Sequence, residues 1–178
     1  MDQMVNVILN RAIRVAKLDL PVYREIARDA NATKEAAVVV AVVALASGIG
    51  ALSDSFGRVV VAVLVAFIGW VIFAAMTYFF GKNIFGTPST QVNVESLLRT
   101  QGYAQAPGVL AFFGFIPVLG WAVALVGSIW ALITAIVAIR ETLVIGTGRA
   151  IIVGIVAAIA SGIVSAILGL IFNVGWAI

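Results

Sequence analysis

The sequence predicts an all-α integral membrane protein with five transmembrane helices, N-terminus inside and C-terminus outside. Three observations carry this: long apolar stretches, near-absence of charge within them, and a one-sided distribution of basic residues between them. Of 178 residues, 63% are apolar and 11% charged, against about 25% charged in an ordinary soluble domain. The stretches are Ala36–Leu52, Val59–Phe80, roughly Gly102–Val118, Gly120–Ile139 and Ala150–Phe172. Each is near the ~20 residues needed to cross ~30 Å of hydrocarbon. With no water there, the backbone must satisfy itself, and runs without apolar–polar alternation do so as helices rather than as a barrel.

Charge gives the sidedness. Arg11, Arg14, Lys17, Arg24, Arg28 and Lys34 precede the first stretch; Lys82 and Arg99 follow the second; Arg140 and Arg149 follow the fourth. The opposite side holds only Arg58. Basic flanks stay in the cytoplasm, which fixes span number and orientation together. The formal net charge of +3 therefore reads as topology and contact with lipid headgroups, not nucleic-acid binding.

Two regions follow. Residues 1–35 form a short amphipathic cytoplasmic or interfacial segment, and residues 36–178 the five-helix domain. In the first, Val5, Ile8, Leu9, Ala12, Ile13 and Ala16 recur at helical spacing opposite Asn6, Asn10, Arg14 and Lys17. Such a helix lies in the headgroup layer, or packs on the spans or on a partner. Asp19, Leu20 and Pro21 break the chain and start a second short helix, with Pro in its first turn. Its charged side, Arg24, Glu25, Arg28 and Asp29, suits local pairing of Glu25 with Arg28 and of Asp29 with Arg24. Asn31 to Thr33 cap the first span. That span resembles a signal-peptide core ending at Ala44 to Ala46, but the mixed-charge segment before it favours a retained span.

The stretch from Gly102 to Ile139 is too long for one crossing. Pro117 to Gly120 supply a turn, giving two spans joined by a hairpin, with a re-entrant loop as the alternative. Between Gly81 and Thr100 lies the sizeable internal loop, with Asn93 or Ser96 starting the next helix. Trp121 and Trp176 read as interfacial anchors, Trp70 and Trp130 as packed mid-span residues.

Cysteine and histidine are absent, which removes the usual ligands of zinc, haem and iron–sulfur centres and the bases of Ser-His and Cys-His catalysis. No cofactor and no enzymatic activity are expected. The spans carry no Asp, Glu, Lys or Arg between their boundaries, which argues against an ion-coupled carrier. Two ladders of small residues mark the fifth span: Gly154, Ala158, Gly162, Ala166 and Ala157, Ser161, Ser165, Gly169. The fourth has Gly120, Ala124 and Ser128. Such ladders let helix backbones approach closely, within one chain or between subunits. On the cytoplasmic side Arg24, Glu25, Arg99, Arg140, Glu141 and Arg149 form either locally paired snorkelling residues or a docking surface for a partner.

At these loops the sequence resembles the Yip (Ypt/Rab-interacting protein) domain family of five-span membrane proteins. The resemblance rests on Leu97 to Pro107, Ile116 to Gly120, Trp130, Ala138 to Glu141 and Gly146 to Ala150, with Tyr23 to Asp29 upstream. It covers the chain from about Tyr23 onward, and the upstream match is of prokaryotic type. The resemblance implies an N-in, C-out five-helix protein of the prokaryotic plasma (inner) membrane. Eukaryotic members bind small GTPases and act in vesicle trafficking. Their long N-terminal region and Asp-Leu-Tyr-Gly-Pro motif are missing here, which counts against GTPase binding. The expected function is a non-enzymatic membrane scaffold or accessory subunit. Its expected partners are membrane lipids and other membrane subunits or copies of itself; the alternative is a conduit or organiser for neutral solute or lipid.

Overall fold

The structure, a computed structural model, describes residues 2–50, 56–116 and 119–171. Every regular element among them is helical. The elements are α1 (Asp2–Ala16), α2 (Leu20–Arg28), α3 (Ala32–Gly50), α4 (Phe56–Asn83), α5 (Val94–Ala104), a 3-10 helix (Ala106–Phe115), α6 (Leu119–Leu143) and α7 (Thr147–Ile171).

Among the described residues four helices, not the five expected, are long and apolar enough to cross a membrane: Ala32–Gly50, Val59–Asn83, Leu119–Leu143 and Thr147–Leu168. The expected third span, Gly102–Val118, is not one helix. Proline inside an α-helix removes a donor and crowds the carbonyl four residues back, and Pro107 falls at the start of that stretch. The α-helix ends at Ala104, and the chain continues as a ten-residue 3-10 helix. Runs of that length are uncommon for 3-10 geometry, so neighbours must hold it. The expected turn at Pro117 and Val118 lies outside the described residues, as does Trp176.

Glycine makes this packing possible. In a 3-10 helix residues three apart eclipse, which puts Gly108, Ala111 and Gly114 on one side. A Cβ on Gly108 would lie 3.0 Å from Val43 Cγ1, and one on Gly114 would lie 3.0 Å from the Gly50 carbonyl oxygen. On α6 the packing stripe runs Gly120, Gly127, Thr134 and Glu141, all buried. A Cβ on Gly120 would sit 2.5 Å from the carbonyl oxygens of Phe113 and Gly114, and one on Gly127 2.9 Å from Leu110 Cβ. The stripe thus repeats every seven residues, not every four as Gly120, Ala124 and Ser128 suggested; Ser128 is exposed.

α1 and α2 belong to the same core as the long helices. Ile8, Val15, Val22, Tyr23 and Ile26 pack with Ala36, Val39, Val40, Trp70, Tyr103 and Ala138. A second cluster joins Ala74 and Leu97 to Ile139, Leu143, Ala150 and Val153. The aliphatic rows of the long helices face outward, including Leu64, Ile68 and Val71 of α4 and Ile155, Ile159 and Ile163 of α7. That is the pattern of helices solvated by lipid.

Candidate functional site

Polar side chains concentrate where α1 and α2 meet α3, α5 and α6. At about 100° per residue, α1 has three sectors rather than two. Ile8, Arg11 and Val15 face the bundle and are buried; Val5, Leu9 and Ile13 are apolar and exposed; Asn6, Asn10, Arg14 and Lys17 form the polar sector. Arg11 thus falls between two core residues, away from the other cations.

Its guanidinium is met by three carboxylates. It donates to Glu35 Oε2 at 2.7 Å, to Glu25 Oε1 at 3.0 and 3.1 Å, and stands 2.8 Å from Asp29 Oδ2. Glu35 Oε2 also accepts the Tyr103 hydroxyl at 2.6 Å. Side-chain exposure is 11% for Arg11 and 10% for Glu35. Burial works to lower the Arg11 pKa, but its hydrogen bonds to Glu35, Asp29 and Glu25 prevail and hold the group above its ordinary value. The Arg11 hydrogen bond, with help from the Asn31 backbone N–H, holds Asp29 below its ordinary value.

Further bonds fasten the N-terminal pair. Arg14 donates to Asp19 Oδ2 at 2.7 Å and to Glu25 Oε2 at 3.0 Å. The Tyr23 hydroxyl donates to the Val15 carbonyl at 2.9 Å, and Trp130 Nε1 to the Ala16 carbonyl at 2.8 Å. Trp130 is 38% exposed, so it is only partly packed, whereas Trp70 is 7% exposed and donates to the Leu98 carbonyl at 3.0 Å. Trp121 is 67% exposed near the start of α6.

Five of the six candidate surface residues join this collar. Arg24 bridges α2 to α6 through Glu141 Oε2 at 2.7 Å, and Arg140 takes Glu141 Oε1 at 2.8 Å. Glu25 serves Arg11 and Arg14. Arg99 donates to Thr33 Oγ1 at 2.8 Å and to the Ala27 carbonyl at 3.0 Å. Arg149 stands apart, exposed in the first turn of α7. The pairing expected within α2 does not form: Glu25 and Asp29 reach Arg11 on α1, and Arg24 reaches α6. The cause is geometric, since α2 lies between two helices that offer partners of opposite sign.

The helix-packing candidates divide. Gly154 faces Ile139, whose Cδ1 would be 3.3 Å from an added Cβ, while nothing lies within 4 Å of one on Gly162. Ala157 is buried, Ser161 and Ser165 are half-buried, and Ala158 and Gly162 are exposed. Ser161 Oγ donates to the Ala157 carbonyl at 2.6 Å within its own helix. The surroundings of Gly169 lie outside the described residues.

Sequence reasoning missed Arg11, Glu35 and Tyr103 as a unit. The angular position of Arg11, between Ile8 and Val15, was the available signal. Deeper in the bundle, Gln101 Nε2 donates to Thr77 Oγ1 at 3.1 Å. Thr142 donates to Thr100 at 2.9 Å, and the Thr134 hydroxyl takes the Ala104 carbonyl where α5 breaks. The Thr134 hydroxyl thus answers a backbone carbonyl that the broken helix leaves free, while Gln101 Oε1 is buried without a hydrogen-bond partner among the described residues. Among the described residues no group of three or more acids is placed to hold a metal ion; the three carboxylates that do converge surround the Arg11 guanidinium.

The family model for the Yip1 domain matches residues 21–169. No curated protein and no solved structure matches the chain in the corresponding comparisons.

Proposed function

The chain belongs to the Yip1 domain family, and we propose that it works as a non-enzymatic membrane scaffold or accessory subunit. The observation that carries this reading is the collar. Its residues spend their hydrogen bonds holding α1 and α2 to the bundle, which makes a fixed platform instead of a reactive centre. Arg24 keeps 59% of its side chain exposed beyond its pairing, Arg28 is exposed beside it, and Glu95 on α5 and Arg149 at the start of α7 are exposed too. A rigid charged face of this kind loses little entropy when a complementary surface docks.

The platform lies on the cytoplasmic side in this reading. Lys34, Lys82, Arg99, Arg140 and Arg149 flank one end of the helices, and basic flanks stay inside. α5 and the 3-10 helix together then make a broken crossing. Beyond Arg99, the five α-helical residues Thr100 to Ala104 at about 1.5 Å each and the ten of the 3-10 helix at about 2.0 Å each give a reach of roughly 28 Å, close to the ~30 Å of hydrocarbon. The C-terminus then lies outside, and the plasma membrane of a prokaryote is the setting the upstream match favours.

The test is site-directed photocrosslinking in the native membrane, with the reactive group at Arg28 or Arg149 and, as control, at lipid-facing Leu125. Defined adducts from the first two sites and none from Leu125 support docking on the platform. No protein adduct from either platform site overturns it.

A further inference from the structure

An apolar groove runs between α1, α3 and the 3-10 helix. Ile8, Leu9 and Ala12 form one wall and Val38 and Val42 another, with Val109 of the 3-10 helix beside them; its volume is about 170 Å³. Apolar cavities of about 150 Å³ stay dry and accept apolar guests. This one opens sideways, because Leu9, Val38, Val42 and Val109 are all substantially exposed. Its opening is continuous with Leu45 and Ile49, further along the outward side of α3. α3 is a membrane-spanning candidate, so the medium at that opening is acyl chain.

One cation marks the mouth. Lys34 lies one turn before Val38 and two before Val42 on α3, so the three share a helix face. It is exposed, and among the described residues it takes part in no ion pair. Its neighbour Glu35 is turned inward and occupied by Arg11 and Tyr103. A lysine at the end of an aliphatic groove can reach a phosphate while its stem lies along the apolar wall.

We propose that this groove holds one acyl chain of an anionic phospholipid whose phosphate sits at Lys34. The site is part α1, so the Arg11 collar that docks α1 also builds one wall of the groove. Lipid binding here is independent of whether the platform recruits a protein.

The test uses the full-length chain, delipidated in mild detergent, with phosphatidylglycerol or phosphatidylcholine of matched chains added and bound lipid counted by native mass spectrometry. One phosphatidylglycerol should be retained per chain, about fivefold more tightly than phosphatidylcholine, the advantage one lysine gives near an anionic headgroup. Lys34→Gln should erase that preference while leaving chain binding. Val42→Trp and, from the opposite wall, Ala12→Leu should each weaken both lipids by tenfold or more. Should Val42→Trp fail to fold, Ala12→Leu and Lys34→Gln still decide. Equal binding of the two lipids by the parent, or unchanged binding after the groove is filled, overturns the proposal. So does a dimer that Val42→Trp or Ala12→Leu converts to monomer, because the groove would then be covered by a second copy.

Discussion

Replacing Arg11 with Met keeps most of the side-chain length and removes only the charge and its donors. Glu35 would then keep the Tyr103 hydroxyl as its remaining side-chain donor, inside a site where its own side chain is 10% exposed. Removing one partner of a buried ion pair costs about 3–5 kcal/mol, because the other charge is left uncompensated. The contributions of Glu25 and Asp29, whose side chains are 45% and 29% exposed, are screened and add less than about 1 kcal/mol each. The expected loss is therefore about 3–5 kcal/mol, nearly all of it through Glu35. The double variant Arg11→Met, Glu35→Gln should regain about 2 kcal/mol or more, since a neutral amide can still accept the Tyr103 hydroxyl. The assay is denaturant unfolding in mild detergent followed by tryptophan fluorescence, with hydrogen exchange across residues 2–16 to see α1 released. A single variant within about 0.5 kcal/mol of the parent, or a double variant no better than the single, refutes the reasoning that Arg11 is a buried clamp.

Further outcomes follow from the same contacts. Gly102→Leu should destabilise by about 3 kcal/mol or more, because even its Cβ would lie 2.7 Å from Ala36 Cβ and 3.1 Å from the Trp70 ring. Gly162→Leu should leave monomer stability within about 0.5 kcal/mol; unfolding of both variants in detergent separates the two cases, and a large Gly162 effect would place an unseen neighbour there. Val144→Gly should raise stability by about 1 kcal/mol, since a β-branched residue ends α6 at φ 55°; a lower unfolding midpoint would contradict this. Asp29 has its folded pKa held below the ordinary 3.8, so its contribution is present above that value and lost as pH falls through the lower folded one. Stability measured against pH should thus show an acid limb below about pH 4 that Asp29→Asn flattens.

Much of this fold was legible because it depends on composition and period. The four long helices follow from apolar runs of spanning length, and Asn93 caps α5 as its position suggests, accepting from the Ser96 backbone N–H at 2.8 Å. The third span was misread because hydropathy counts residues without asking what Pro107 does to the ladder. The glycines that let a 3-10 helix run beside α3 and α6 are equally apolar in either geometry. The seven-residue stripe on α6 was hidden for a related reason. Gly127 and Thr134 mean little until the facing element is a broken helix with free carbonyls. The collar was half legible. Its residues stood out as charged, but partner choice across 117 positions, as between Arg24 and Glu141, is set by tertiary packing and leaves no local signal.

The measurement that bears most directly on a scaffold or accessory role is the native mass of the chain after gentle solubilisation from its own membrane, with mass spectrometry of every protein that travels with it. The expected result is a defined assembly larger than one chain, containing a stoichiometric second protein and weakened by charge reversal at Arg28 or Arg149. A clean monomer, with no protein partner under the mildest extraction, would contradict it.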